Sequence, residues 1–208
     1  MSTKFFTNRE ENSLLTKFEG IFTDFESIRY FDALVGYFRA SGYFKVRAFL
    51  DKIPKVRILV GINVDQLIKK HHDRGQLYIE SPTETKEDFI NDTIKNIQSA
   101  DYNEETERGI IQFITDLLDG KIELRAHPSK KIHAKVYIFR GEKFNKHTPC
   151  EVITGSSNLT DSGLGSNPES NYEFNVSLRE YDDVKFATDE FEELWGSQFQ
   201  FYMPKLKA

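Results

Sequence analysis

His133-Ala134-Lys135 sets an imidazole and an ammonium two residues apart inside 132–139, a run in which polar and apolar positions alternate. Period two puts His133, Lys135, Tyr137 and Phe139 on one face of a strand and Ile132, Ala134, Val136 and Ile138 on the other. A histidine and a lysine so placed converge on one point in space. A second strand-like run, Cys150 to Thr154, leads into Gly155-Ser156-Ser157-Asn158, where small residues give way to hydroxyl and amide groups. A third, Asn171 to Leu178, carries Tyr172, Phe174 and Val176 on one face and Glu173 and Asn175 on the other. Together these supply a nucleophile or acid, a fixed cation, neutral oxygen-binding donors and an orienting carboxylate. That set suits phosphodiester chemistry.

The elements that must position these groups follow from periodicity. Leu14, Leu15, Phe18, Ile21, Phe22 and Phe25 recur at helical spacing and read as core rather than as a base-stacking surface. Residues 28–38 are rich in β-branched and aromatic side chains and predict a strand. Ser41-Gly42 ends it and opens a helix through Asp51, with Phe44, Val46, Phe49 and Leu50 inward. Pro54 stops that helix, and 56–62 forms a buried strand. Strand, helix and strand with short links make a βαβ unit. Two helices are expected over about 81–119, joined near Asp101-Tyr102-Asn103. The first is faced by Phe89, Ile90, Ile94 and Ile97, and the second by Ile110, Ile111, Ile114, Leu117 and Leu118. A last helix, about 182–199, carries Phe186, Phe191, Leu194 and Trp195. The expected fold is α/β: a mixed, mostly parallel central sheet with helices on both faces and a helical insertion.

His133-x-Lys135 followed by Gly155-Ser156-x-Asn158 resembles the HxK…GSxN signature of the phospholipase D superfamily, and Glu173 matches the downstream acid of its single-motif nuclease branch. The resemblance covers roughly 28–180, its sharp part 133–173. It implies that His133 attacks phosphorus and forms a phosphohistidine. Because this chain holds one copy of the motif, it also implies that His133 of a second copy protonates the leaving oxygen, in a homodimer. Lys135 and Asn158 would bind the non-bridging oxygens with help from Ser156. Glu173 would hydrogen-bond the non-attacking nitrogen of His133. The implied mechanism needs no metal and no cofactor. Asp161 competes for the role of Glu173, and Ser157 serves equally as a cap for the turn that follows it. Where the family often writes HxK-x4-D, this chain has Arg140. The loss tilts the reading toward single-motif nucleases.

Charge bears on the substrate. The net charge is −5, yet Glu80–Asp119 holds eleven acidic residues against three basic, and Lys121–His147 eight basic against two acidic. A basic stretch inside an acidic protein is either a solvated loop or a local anion site. With the motif inside it, Lys131 and Arg140 become candidate substrate-binding residues and DNA the expected partner. Phospholipid headgroups are disfavoured by the lack of a basic amphipathic helix, a membrane span or a second motif.

Two hundred and eight residues fit one domain without a disulfide or metal staple. The single cysteine, Cys150, suits a cytoplasmic protein and reads as a buried small residue. His71-His72, His127 and Cys150 make no recognised zinc spacing. The ending PKLKA shows no tidy closure, so a piece of a longer protein is expected. Similar domains precede helicases in bacterial restriction-type proteins, and no G-x-x-x-x-G-K-[ST] occurs in this chain. The sequence therefore predicts a metal-independent DNA endonuclease domain, with a helicase motor as a possible linked partner. The alternative is a DNA-gripping module with weak catalysis.

Overall fold

The computed structural model describes residues 4–61, 104–127, 132–166 and 170–196. Phe5–Thr7 forms a short strand, β1. Ser13 then caps helix α1, Leu14–Asp24, its hydroxyl accepting the Thr16 N–H at 3.1 Å. Leu14, Phe18 and Ile21, at helical spacing, are the buried face of α1. β2 (Ile28–Val35) leads into α2 (Ala40–Val46), which tightens into a 3-10 turn, Arg47–Leu50, before β3 (Lys55–Gly61). Phe31 stands opposite Val56 and Val35 opposite Val60 in a parallel pair, so β2–α2–β3 is the expected βαβ unit. Helix α3 (Glu104–Leu118) precedes β4 (Ile122–His127), which adds parallel to β3. β5 (Lys135–Gly141), β6 (Cys150–Gly155), the short α4 (Asp161–Leu164), β7 (Phe174–Leu178) and α5 (Tyr181–Gly196) complete the described chain.

The strands form one mixed sheet in the order β1-β7-β6-β5-β2-β3-β4. Among the strands described, parallel pairing is confined to β2, β3 and β4, and the other neighbours run antiparallel. The sheet is thus mixed but not mostly parallel. β5 and β6 are joined only by 142–149, too short for the crossover of a dozen or more residues that parallel neighbours require.

Alternation along the strands builds a core on each face. On one side Phe18 of α1 meets Phe31, Tyr137 and Phe139 edge-on, with ring centroids 5.1–5.5 Å apart. Tyr43 and Phe113 of α2 and α3 extend this layer. On the other side Leu34, Ile138 and Val152 pack against Val184, Phe191 and Trp195 of α5.

Several helix faces differ from expectation. Ser41 and Gly42 lie inside α2, whose buried residues are Ala40, Gly42, Tyr43 and Val46, and Leu50 is buried in the 3-10 turn. Val46 and Leu50 thus face inward as expected, with Phe44 and Phe49 only partly covered. In α3, Ile111 and Leu118 are exposed, whereas Phe113 and Asp116 are buried. Asp116 turns inward because Tyr43 Oη donates to its carboxylate at 2.6 Å and Arg47 also binds it. In α5, Phe186 points to solvent and Val184, Thr188, Phe191 and Trp195 face the sheet. The expected first helix of the insertion lies outside the described residues.

Candidate active site

Lys135 opens β5, and His133 stands in the 132–134 segment leading into it rather than in the strand. Two glycines at the carboxyl ends of the parallel strands admit that segment. A Cβ on Gly61 would lie 2.0 Å from the Ile132 carbonyl oxygen, and one on Gly36 would lie 3.3 Å from the His133 Cα. His133 therefore sits where β2 and β3 end, the edge at which open α/β sheets hold their ligands.

The Lys135 ammonium donates to the His133 carbonyl oxygen at 2.8 Å and lies 3.1 Å from His133 Nε2. An ammonium has no lone pair, so Nε2 must accept, and the ring proton belongs on Nδ1. The imidazole is exposed while Lys135 is buried. That burial lowers the lysine pKa from its ordinary value, and the nearby Glu173 carboxylate opposes the shift.

Asn158 follows the end of β6. Its Oδ1 accepts the Tyr37 backbone N–H at 3.0 Å, which orients the amide and leaves Nδ2 as a donor. Tyr37 follows Gly36, so one turn after β2 touches both His133 and Asn158. Ser156 bridges to the next strand: its backbone N–H reaches the Phe174 carbonyl at 3.2 Å, and its Oγ accepts the Phe174 N–H at 3.0 Å. The Ser156 hydroxyl donates to Glu173. The carboxylate thus accepts a serine hydrogen bond here, where a bond to His133 was expected. The structure brings His133, Lys135, Asn158, Ser156 and Glu173 to one edge of the sheet.

The other candidates lie elsewhere. Lys131 is outside the described residues. Arg140 projects from the opposite face of β5, where its Nη2 meets Asp32 at 3.3 Å and Glu192 at 3.4 Å. A substrate-binding role for Arg140 is therefore corrected to an ion-pair role in the core: five residues past Lys135, period two reverses the face. Asp161 begins α4, whose cap is Thr160. Ser157 is no cap either. It is buried, accepts Asn175 Nδ2 at 3.0 Å through its hydroxyl, and accepts Tyr137 Oη at 2.8 Å through its carbonyl. Among the described residues no three His, Cys, Asp or Glu side chains stand together as a metal site.

Sequence reasoning missed two positioning residues. Tyr37 could have been suspected from its place at the end of β2. Asn8 gave no signal. It is buried, its Nδ2 donates to the Asn171 carbonyl at 2.7 Å and to Ser170 Oγ at 3.1 Å, and its Oδ1 accepts the Glu173 N–H at 3.0 Å. Asn8→Ala strands these groups and is expected to cost about 1–3 kcal/mol. Urea unfolding with an unchanged m-value would check it.

One family profile and several solved structures resemble the chain. The profile described as cardiolipin synthase, PLD-like domain, matches residues 39–195. Nuc from Salmonella typhimurium, a phospholipase D family member, superposes with a TM-score of 0.53 at 13% identity, covering 97% of this chain and 99% of that one. TrmBL2, an archaeal chromatin protein, gives 0.46 at 16% identity, over 95% of this chain and 54% of its own. A mutant of yeast tyrosyl-DNA phosphodiesterase gives 0.41 at 12% identity, over 83% of this chain and 31% of its own. No curated protein matches the sequence. With a profile match over most of its length and the fold of Nuc from end to end, the chain belongs to the PLD-like domain family.

Proposed function

We propose that this chain is a metal-independent phosphodiesterase domain that cuts DNA through a phosphohistidine. The observation that carries the reading is the Lys135 ammonium 3.1 Å from His133 Nε2, at the sheet edge that also holds Asn158, Ser156 and Glu173. A phosphate drawn to Asn158 Nδ2 would take over the Lys135 N–H that Nε2 accepts here, freeing the Nε2 lone pair to meet phosphorus. The N–P bond forms as the bond to the leaving oxygen breaks, and that oxygen takes its proton from His133 of a second copy. Water then gives a proton back to that imidazole and attacks phosphorus, breaking N–P and freeing the phosphate. Fixed donors and a cation meet the charge that develops on the non-bridging oxygens. Glu173, released from Ser156, would hold Nδ1–H during the attack. The proposed setting is a homodimer, serving as the nuclease part of a restriction- or helicase-type protein in the cytoplasm. Among the described residues no helix is long and apolar enough to cross a membrane.

The engagement of Glu173 by Ser156 rather than His133 favours a second reading, in which the domain grips DNA with little turnover. Incubation with end-labelled DNA in EDTA separates the two. Turnover should persist, and an acid-labile, alkali-stable phosphoryl group should be trapped on the protein. Activity lost in EDTA and restored by a divalent metal would overturn the mechanism. Salt-sensitive binding without cleavage would establish the gripping module.

A further inference from the structure

Four large rings near the site face solvent: Phe5, Tyr37, Tyr172 and Phe174. They are tied to the groups proposed to handle phosphate. The Tyr37 N–H binds Asn158, the Phe174 N–H binds Ser156, and Tyr172 and Phe174 flank Glu173 in sequence. Two of the rings carry a guanidinium: Arg9 lies 4.7 Å from the Tyr172 ring centre and Arg39 lies 5.6 Å from that of Tyr37. Phe5 stacks on Phe174 with centroids 5.6 Å apart, a second exposed apolar surface. An exposed ring beside an arginine offers a face for a base and a charge for the adjoining phosphate. Glu173, the acid between Tyr172 and Phe174 in sequence, is tied to Ser156.

We infer that Tyr37 with Arg39, and Tyr172 with Arg9, are stacking platforms on either side of the reacting phosphate, and that the strand this site takes is unpaired. The inference rests on the nucleic-acid reading above. Within a duplex each base is already covered by its neighbours, so these rings would gain nothing. A single strand can splay its bases onto them.

The test uses the full chain bearing His133→Ala, so that the probe stays intact, and fluorescence anisotropy in EDTA. The probes are a single-stranded oligonucleotide, an abasic oligomer with the same phosphates, and the matching duplex. Two stacked bases should make the base-bearing strand bind about a hundredfold tighter than the abasic one, and Tyr37→Leu or Tyr172→Leu should each cut that ratio about tenfold. A duplex preference, or a ratio the leucine variants leave untouched, would overturn the platforms. Should the variants instead convert a dimer to a monomer in sedimentation with the ratio unchanged, the rings are a protein contact and the inference is wrong. Salt-sensitive binding to all three probes alike defeats only the platforms, whereas no binding to any probe defeats the nucleic-acid reading with them.

Discussion

Lys135→Met is expected to lower hydrolysis of a DNA phosphodiester by about a hundred- to a thousandfold, the usual effect of removing one fixed donor from a developing charge. His133→Ala should leave no turnover and no phosphoryl-protein, since no other imidazole is proposed to attack. The two losses are distinguishable: the lysine variant should still form the covalent intermediate, slowly. Their pH behaviour follows from burial. Lys135 titrates below the ordinary lysine value because burial disfavours its charge, with Glu173 opposing. The alkaline limb of the rate profile should therefore fall at a lower pH than an exposed lysine would give. Stability should not fall with it. Between the folded and unfolded pKa values the unfolded chain binds more protons, so this group's contribution to stability rises with pH over that window. Thermal melts across the limb check the sign, and the Met variant should melt no earlier than the parent chain. Early melting of that variant would make Lys135 a structural cation, and the catalytic reading would lose its main support.

The site was legible in the sequence because its spacing is local. His133 and Lys135 meet although the strand begins only at Lys135. Gly155-Ser156-Ser157-Asn158 marks the end of β6, as the turn residues imply, whereas β7 begins at Phe174 and leaves Glu173 just ahead of the strand expected to carry it. The βαβ unit was equally plain. Pairings between segments distant in sequence were not. Nothing local says that β5 lies antiparallel against β2, or that β1 closes the edge beside β7. Helical period identified stripes on α3 and α5 but took in too much: Leu117, Phe191, Leu194 and Trp195 pack on the core as expected. Ile111, Leu118 and Phe186 fit an apolar periodicity yet are more than half exposed. In α3 a carboxylate, Asp116, took the inward position because Tyr43 of α2 and Arg47 of the turn after it wait for it. Asn8 was invisible for a similar reason: its three hydrogen bonds reach residues more than 160 positions away.

Arg140 shows how far a motif departure can reach. On the α5 face, Asp32 is fully buried and grips Arg57 with both oxygens, at 2.6 and 2.7 Å. Arg57 also holds Glu192 of α5 at 2.7 and 3.1 Å, and its guanidinium lies 4.8 Å from the Phe191 ring centre and 5.3 Å from that of Trp195. Arg140 joins Asp32 and Glu192 through Nη2, while its Nε is buried without a partner. Two cations thus face two anions, and the cluster pins α5 to the sheet. Asp32→Ala leaves two arginines facing one half-exposed glutamate. It is expected to destabilise the fold by about 3–5 kcal/mol, the cost of uncompensated buried charge. Arg140→Met should cost far less, because Arg57 still neutralises Asp32 and the unpartnered Nε disappears. Arg140→Asp, which restores the residue the family often has, should be the worse change at this position. It sets a third carboxylate beside Asp32 and Glu192 with Arg57 alone to answer them. Urea unfolding of the three variants orders these effects. If Arg140→Asp proves no less stable than Arg140→Met, the ion cluster does not govern this face, and the departure from the motif needs another cause.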